Sequence, residues 1–375
     1  MATSLEKPEV VKVAIVTNIP APYRLKVYAL LAKMPGILLR VFYCSGREPD
    51  RAWDLAPEEY ESVYLKERFI SLKDRFMHIN PDVWRHLAAF KPDVVVTTGF
   101  NPSHLIAFVY AVTHRIRHIA MTDGTKTSEE KLSGLHRWIR RQVFRRTQAF
   151  VGASDGAFDL FEQYGVPRHL MFKSHLCANN EAFAGHHAIS KRFDFIYCGR
   201  FVGIKNPLFA LRVAHQCAKQ LGRTVHIALV GSGEMEPEMR ALAQTMSPHV
   251  QATFVGFAKQ DELPQWYGAS RVLLFPTSWD PWGVVANEAC AAGVPVLVTP
   301  AAGVAGEIIK DQINGYILPL DEAQWVTHAC RLLEDSVLHA RMARHCEEAV
   351  ADYTYAHAAE GIAEAVHCGV RRTRK

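Results

Sequence analysis

The stretch RVLLFPTSWDPWGVVANEACAAGVPVLVT, residues 271–299, decides the fold class. Its first apolar run, 272–275, stops at a proline and predicts a buried strand. A polar turn follows, and then a helical stretch over 284–292 that Gly293 closes as a C-cap. A second apolar run, 295–299, completes a strand–turn–helix–strand unit. Ligands of such units bind at the carboxyl edge of the strands, where helix N-termini present free N–H groups to anions.

Two acids lie in this unit, Asp280 in the turn and Glu288 about one turn into the helix. Carboxylates beside exposed amides are suited to hold polyhydroxyl groups next to a phosphate. The pattern repeats along the chain, because apolar runs alternate with helical patterns. The runs occupy 11–17, 38–44, 94–98, 118–122, 149–153, 193–198, 225–230, 250–257 and 316–318. This alternation predicts an α/β protein with parallel, doubly wound sheets, and only 46–75 is predicted as a long loop with short elements.

The central stretch resembles the signature of retaining nucleotide-sugar glycosyltransferases of family four, which have the GT-B fold. The residues that carry the resemblance are Pro276, Gly283, Glu288, Ala289, Ala291, Gly293, Pro295 and Val296. The family's first acid is Glu, whereas this chain has Asp280. A second segment, 199–206, resembles the family's G-R-x-x-x-x-K-G, with Arg200 and Lys205 in place and Asn206 where the last glycine is usual.

The resemblance implies two Rossmann-like domains that face each other across a cleft. It also implies metal-independent, cofactor-independent transfer of a sugar from a nucleoside diphosphate sugar, with UDP-sugar as the expected donor and a glycan or lipid-linked acceptor. The implied catalytic group is Arg200, Lys205, Asp280 and Glu288. Arg200 and Lys205 would hold the diphosphate, Asp280 the sugar hydroxyls and Glu288 the ribose.

Further donor contacts are expected around the same strand ends, namely Gly199, Gly231, Phe257, Gly283, Val284 and Val285. For the acceptor or the sugar we consider three residues that follow predicted strands of the first half: Arg24, His104 and Asp123. Each also has a structural interpretation. Arg24 could cover a helix N-terminus, His104 could be a capping or core residue, and Asp123 could form a turn.

The length of 375 residues predicts two domains, each able to bury its own core. We expect an acceptor domain over 1–188 and a donor domain over 189–352. Residues 353–375 are expected to form a helix that crosses back to the first domain, followed by a basic tail. The eight cysteines form no C-x-x-C pair, which predicts reduced core thiols rather than zinc ligands.

The net charge of +5 is unevenly divided, since the basic excess lies in the first half and the second half is mildly acidic. Within the first half, the helical pattern 132–146 carries Arg137, Arg140, Arg141, Arg145 and Arg146 beside Trp138. Leu132, Leu135, Ile139 and Val143 are predicted to form its apolar face. A basic helix with an aromatic at its edge is typical of contact with an anionic membrane surface. A merely solvated helix face is the alternative, and no motif predicts nucleic-acid binding.

No apolar run reaches the ~20 residues of a membrane span, and Met1 to Val10 lacks the apolar core of a signal peptide. We therefore expect a cytoplasmic protein, peripheral at the inner face of the membrane. Alternatives remain open for the activity. The same fold could serve a nucleotide-sugar epimerase, or a protein that binds the donor without turnover. A dinucleotide-dependent oxidoreductase would need a complete glycine fingerprint, and neither half contains one.

Overall fold

The computed structural model describes residues 10–48, 57–72, 75–130, 132–184 and 190–371. The chain divides into two compact units, Met1–Leu176 with Tyr355–Lys375, and Cys177–Thr354. The boundary that we predicted at 188/189 lies outside the described residues, as do 372–375 of the predicted basic tail. Within the first unit the last helix packs against its first helix and against strands of its sheet.

The first unit alternates strands and helices through most of its length. Its strands are β1 (Val11–Thr17), β2 (Ile37–Tyr43), β3 (Glu61–Tyr64), β4 (Phe69–Leu72), β5 (Arg75–His78), β6 (Val94–Thr97), β7 (Arg117–Thr122), β8 (Ala149–Gly152) and β9 (Met171–Lys173). Its helices are α1 (Pro22–Ala32), α2 (Val83–Phe90), α3 (Pro102–Thr113), α4 (Lys126–Glu130), α5 (Gly134–Phe144), α6 (Asp155–Gln163) and α14 (Tyr355–Arg371).

Seven of these strands form a parallel sheet in the order β3-β2-β1-β6-β7-β8-β9, while β4 and β5 pair as a small antiparallel ribbon. The middle strands are apolar on both faces, as the neighbouring residues Ile15 and Val16 of β1 show, because their side chains point to opposite faces and both are fully buried. The strand order reverses between β1 and β6, so the carboxyl ends of these two strands form the topological switch point of this unit.

The second unit has the same architecture. Its strands are β10 (Phe193–Cys198), β11 (Val225–Val230), β12 (Val250–Gly256), β13 (Ser270–Phe275), β14 (Val296–Val298) and β15 (Gly315–Ile317). Its helices are α7 (Asn180–Ala184), α8 (Pro207–Leu221), α9 (Glu236–Thr245), α10 (Leu263–Gly268), α11 (Val284–Ala291), α12 (Glu322–Glu334) and α13 (Ser336–Val350). All six strands are parallel, in the order β12-β11-β10-β13-β14-β15, which puts the switch point between β10 and β13.

The predicted α/β class with two parallel, doubly wound sheets is confirmed. The sequence missed β9, a three-residue edge strand whose Met-Phe-Lys pattern is too short to show a period. The segment 46–75 contributes the short strands β3 and β4 and the first residue of β5, while 49–56 and 73–74 lie outside the described residues. Both switch points have strands on either side, so the loops that follow β1, β6, β10 and β13 are the places to look for a site.

Candidate active site

Two glycine-containing loops approach each other closely at the carboxyl edge of the second sheet. Gly199 follows β10 with φ +147°, and Gly231 follows β11 with φ +135°. A Cβ on Gly231 would lie 1.9 Å from the carbonyl oxygen of Gly199. Both the positive φ and this contact require glycine at 231, because any other residue would separate the two loops. The two glycines predicted for donor binding therefore lie side by side.

The turn after β10 carries the two predicted cations. The hydroxyl of Tyr197 lies 3.0 Å from the carbonyl oxygen of Arg200 and 3.4 Å from that of Lys205, so one phenol holds both ends of the turn. Lys205 Nζ donates to Asp280 Oδ2 at 2.6 Å, and the two side chains are only 16% and 19% exposed. Lys205 thus reaches from the end of β10 to the turn after β13, and a predicted cation and a predicted acid meet directly.

Asp280 is held from several directions in addition to its ion pair. Its other oxygen, Oδ1, accepts a hydrogen bond from the backbone N–H of Trp282 at 3.0 Å. The indole Nε1 of Trp282 donates to Asn287 Oδ1 at 2.8 Å, which ties the turn to α11. Because both carboxylate oxygens have partners, the orientation of Asp280 is fixed within its unit.

Helix α11 begins directly after this turn, with Gly283 as its N-cap at φ +109°. A Cβ on Gly283 would lie 2.5 Å from the ring of Phe275, so glycine is needed for packing as well as for the backbone angle. Val284 and Val285 supply the first amides of the helix, and such amides have no partner within the helix. The predicted backbone donors therefore lie beside Asp280 in the chain and at the positive end of a helix dipole.

Glu288 is almost completely buried, at 5% exposure, and lies on the same helix. Its carboxylate accepts a hydrogen bond from the hydroxyl of Tyr267, in α10, at 2.8 Å. Burial raises the pKa of Glu288 to about 7, and the hydrogen bond from Tyr267 opposes that shift. Burial raises the pKa of the Cys198 thiol and the Glu288 carboxylate raises it further, so this carboxylate lies near the end of β10. Its partner is Tyr267, rather than a member of the Lys205–Asp280 pair.

Phe257 follows β12 and exposes 44% of its surface, unlike the aromatic residues of the core. The carbonyl of the preceding residue, Gly256, accepts from the N–H of Gly231 at 2.8 Å. This backbone hydrogen bond places Phe257 next to the glycine loops that contain Gly199 and Gly231. An exposed ring at this edge offers a face on which a planar base could stack.

A polar cavity lies at the switch point of the first sheet. It has a volume of about 180 Å³ and lies against the carboxyl ends of β1, β6 and β7. Its lining consists of Thr17, Asn18, Ile19, Ala21, Tyr23, Arg24, Tyr28, Glu48, Thr98, Met121, Thr122 and Asp123. Two of the three predicted acceptor residues, Arg24 and Asp123, are in this lining, and they are paired, with Arg24 Nη2 donating to Asp123 Oδ1 at 3.1 Å.

The third predicted acceptor residue, His104, lies in the first turn of α3 and is only 1% exposed. Neither of its ring nitrogens makes a hydrogen bond of good geometry among the described residues, although the backbone of Val16 lies close enough to oppose the fall in its pKa. Burial lowers the pKa of His104 to about 3, so the ring is neutral at physiological pH. His104 packs against Gly99, where a Cβ would lie 3.2 Å from the ring. It does not line the polar cavity.

Two models of known families match the chain, one in each half. A family model described as "Glycosyl transferase 4-like domain" matches residues 6–172, and one described as "Glycosyl transferases group 1" matches residues 179–349. Both models describe glycosyltransferases, and the two matches together support a family-four-like glycosyltransferase. The resemblance read from the sequence is confirmed, and each match falls largely on one unit of the glycosyltransferase.

Curated relatives match parts of this chain. An uncharacterized glycosyltransferase of Methanocaldococcus jannaschii is 28% identical over 141 residues, which are 37% of this chain and 35% of that protein. A D-inositol 3-phosphate glycosyltransferase of Streptomyces bingchenggensis is 30% identical over 258 residues, 60% of this chain and 56% of that protein. The chain thus matches between about a third and just over half of the length of these two relatives.

Solved structures share the fold over nearly the whole chain. Anabaena HepE in complex with UDP and glucose has a TM-score of 0.72 at 15% identity, and covers 95% of this chain and 99% of that one. WaaG, a glycosyltransferase involved in lipopolysaccharide biosynthesis, has a TM-score of 0.62 at 17% identity, covering 94% and 99%. These likenesses establish the GT-B fold that the sequence predicted.

One residue of the predicted basic face of α5 is misassigned. The Arg140 side chain is only 14% exposed, forms an ion pair with the buried Glu129 and stacks on Phe100 at 4.3 Å. Leu135, predicted on the apolar face of the helix, is instead 64% exposed beside Trp138 at 58%. The helical period placed both residues near the border between faces, and packing against α4 and the loop before α3 decided their side. Arg137, Arg141, Arg145 and Arg146 are exposed as predicted.

The sequence also missed several side chains that shape these two places. Tyr197 and Tyr267 carried no signal, because their partners lie on other elements. Thr98 and Thr122 are the last residues of predicted strands and could have been found by asking what lies at every strand end. Over the part of the chain that the structure describes, no cluster of three or more His, Cys, Asp or Glu side chains could hold a metal ion. Nor does any described helix have the length and apolarity to cross a membrane.

Proposed function

We propose that this glycosyltransferase moves a sugar from a UDP-sugar to a hydroxyl of a glycan or lipid-linked acceptor, with retention at the anomeric carbon and without a metal ion. The observation that carries the proposal is the ion pair between Lys205 and Asp280 at the switch point of the second sheet, beside the N-terminus of α11, with Arg200 in the same turn as Lys205. Anabaena HepE, which shares the fold, has been crystallised with UDP-glucose.

The chemistry assigned to these residues is electrostatic. As the bond between the sugar and the diphosphate breaks, negative charge grows on the diphosphate, and Arg200, Lys205 and the first amides of α11 stabilise it. The departing diphosphate oxygen takes the proton of the acceptor hydroxyl, so no protein side chain has to act as covalent nucleophile. Catalysis then consists mainly of positioning and of stabilising charge.

The ion pair between Lys205 and Asp280 gives each residue a second task. Asp280 accepts hydrogen bonds from hydroxyl groups of the transferred sugar. Lys205 neutralises the charge of Asp280 and remains next to the diphosphate. Glu288 accepts the ribose hydroxyls and Phe257 stacks on the base. Asp280 is one methylene shorter than the family's Glu, and Lys205 Nζ lies 2.6 Å from its carboxylate.

The proposal is tested first by binding and then by turnover. UDP should raise the melting temperature more than ADP, GDP or CDP, since a ligand at a hundred times its dissociation constant adds about 2.7 kcal/mol. Turnover is measured as acceptor-dependent release of UDP from UDP-glucose, with EDTA present. Proton NMR of the product then reports the anomeric configuration.

The outcomes separate the alternatives. An epimerase would convert UDP-glucose to another UDP-sugar without releasing UDP. A protein without turnover would bind UDP and leave UDP-glucose intact with every acceptor. Loss of activity in EDTA would contradict the metal-independent mechanism, and an inverted product would contradict retention.

We also propose that the exposed face of α5 contacts an anionic membrane from the cytoplasmic side. Leu135 and Trp138 protrude from this face, with Arg137, Arg141 and Arg145 beside them. Basic side chains near an anionic bilayer contribute about 1 kcal/mol each, and an interfacial Trp anchors the helix. This supports a lipid-linked acceptor.

Vesicle co-sedimentation tests this contact. The protein should bind vesicles with 30% anionic lipid in low salt and leave them in high salt, since the attraction is screened. Trp138→Ala and Arg141→Glu should each reduce binding without changing turnover on a soluble acceptor. Full activity on a soluble acceptor together with no vesicle binding would refute the membrane proposal and leave the transferase proposal intact.

A further inference from the structure

The polar cavity of the first unit has a definite chemical character. Its lining is dominated by hydroxyl and amide groups, and the residues that supply them are Thr17, Asn18, Tyr23, Tyr28, Thr98 and Thr122. Burial raises the pKa of Tyr28 to about 12, so its phenol keeps its proton at physiological pH. Such neutral groups donate and accept hydrogen bonds without adding charge.

Each charged side chain of this lining already has a partner. Arg24, whose side chain is 7% exposed, is the only cation among the described lining residues. Its guanidinium donates to Asp123 Oδ1 at 3.1 Å and to Ser174 Oγ at 2.8 Å. The lining contains a second carboxylate, Glu48, which lies 2.9 Å from His78 Nε2. A phosphate or carboxylate in this cavity would face two carboxylates and find its one cation engaged.

The cavity has room for a single six-membered ring. A cavity of about 150 Å³ in another protein accommodates benzene, and this one has about 180 Å³. Asp123 keeps 38% of its side chain exposed while Arg24 fixes one of its oxygens. A carboxylate held in this way accepts hydrogen bonds from sugar hydroxyls, which are charge-assisted and about twice as strong as neutral ones.

We propose that this cavity binds the acceptor through a neutral sugar ring, and that Asp123, oriented by Arg24, is the residue that selects neutral over anionic acceptors. The proposal rests on the transferase activity proposed above and narrows its acceptor class. The anchoring sugar can belong to a free glycan or to a lipid-linked one, because the cavity holds a single ring.

An acceptor panel tests the proposal on the unaltered protein. UDP release from UDP-glucose is measured with the methyl glycosides of glucose, galactose and mannose, and with the matching uronates, in which only the C6 hydroxymethyl group is replaced by a carboxylate. Inositol 3-phosphate serves as a phosphorylated acceptor. At least one neutral glycoside should be used with a kcat/KM ten or more times that of its uronate and of inositol 3-phosphate.

Asp123→Asn tests the selecting residue. The substitution preserves shape and removes the charge that neutralises Arg24. We expect kcat/KM for the best neutral glycoside to fall roughly ten- to a hundredfold, mainly through KM, since hydrogen bonds to a charged group are lost. Discrimination against the uronate should shrink, because Arg24 then offers its charge to the ligand. Asp155→Asn, which removes an exposed acid paired with Lys173 on the same unit, is the matched control and should change neither quantity.

The outcomes distinguish this inference from the activity on which it rests. A uronate or inositol 3-phosphate used as well as the neutral glycosides would overturn the inference while the transferase activity stood. Binding of UDP with no turnover of any neutral glycoside would also count against it. Failure to bind UDP at all would remove both proposals. An Asp123→Asn protein that melts normally and keeps the unaltered acceptor preference would refute the role of Asp123.

Discussion

Replacement of Glu288 by Gln should make the protein more resistant to unfolding as the pH rises, relative to the unaltered chain. Glu288 is 5% exposed, and burial raises its pKa from 4.5 to about 7. Between these two values the folded protein holds a proton that the unfolded chain has released. The native state therefore loses stability as pH rises through this window, and the full penalty is present above pH 7.

The magnitude follows from the size of the shift. A pKa difference of about 2.5 units corresponds to about 3 kcal/mol in total, of which about 2.5 kcal/mol develops between pH 5 and pH 8. Gln does not titrate, so it carries none of this penalty. Its amide oxygen can still accept the hydrogen bond from Tyr267, and any cost of burying its NH₂ group is the same at every pH. The pH dependence is therefore the part of the effect that isolates the charge of Glu288.

The assay is urea unfolding followed by tryptophan fluorescence at pH 5, 6, 7 and 8. The measured quantity is the difference in unfolding free energy between Glu288→Gln and the unaltered protein, because other titrating groups cancel in it. This difference should move by about 2.5 kcal/mol in favour of the variant from pH 5 to pH 8. Glu334→Gln, at an exposed position of the same unit, is the matched control and should stay within about 0.5 kcal/mol throughout.

A flat difference across this range would refute the burial argument, and a change in the opposite direction would show that the folded protein stabilises the carboxylate. The same variant also tests function. If Glu288 accepts the ribose hydroxyls, Glu288→Gln should bind UDP roughly ten- to a hundredfold more weakly at pH 8, as expected for lost hydrogen bonds to a charged acceptor. If the Glu288→Gln protein is more stable and binds UDP more weakly, the buried carboxylate lowers stability and serves donor binding.

Three further predictions concern other parts of the molecule. Lys205→Ala should lower kcat by a factor of roughly ten to a thousand, which is the usual loss for one charge-stabilising group. Lys219→Ala, which removes an exposed cation of α8, is the control and should leave kcat unchanged. Unchanged turnover of the Lys205 variant at saturating donor would contradict the role of Lys205. Gly231→Ala should lower the unfolding free energy by roughly 1–3 kcal/mol or more, as overpacking does, because the new Cβ would lie 1.9 Å from the carbonyl oxygen of Gly199. An unchanged midpoint of urea unfolding would show that the two loops move apart freely. Arg140→Ala should destabilise the first unit by about 3–5 kcal/mol, since it leaves the buried Glu129 carboxylate without its cation and, among the described residues, with only the hydroxyl of Tyr164 as a partner. Arg141→Ala should change stability by no more than about 0.5 kcal/mol but weaken vesicle binding. Similar stabilities of the two variants would refute the difference in burial.

Much of the candidate donor site could be predicted because its residues are close together in sequence. The segment 271–299 contains a strand, a glycine turn, a helix start and a second strand, each with its own local signal. The turn 199–206 is equally local. Parallel strands bring their carboxyl ends to one edge, so once the alternation is recognised, the two segments must be neighbours if their strands are. The pairing of β10 with β13 supplies that condition.

Contacts between distant segments could not be predicted in the same way. The period of α5 assigned Arg140 to a basic face, but Glu129 and Phe100 lie on other elements and their positions depend on how the chain packs. The cavity of the first unit likewise collects side chains from β1, β6 and β7, which are separated by about a hundred residues in all. Arg24 and Asp123 were each recognised as candidates, but not as partners.

The sequence by itself determined the fold class, the family, and which strand ends carry cations, acids and glycines, because hydrophobic period and turn chemistry are encoded locally. Tertiary structure decided which of these groups meet and in what state of charge. Lys205 and Asp280 form an ion pair, Tyr267 binds the carboxylate of Glu288, and Asp123 neutralises Arg24. These features depend on distance and on exclusion of water, and both arise only when segments far apart in the chain are packed together.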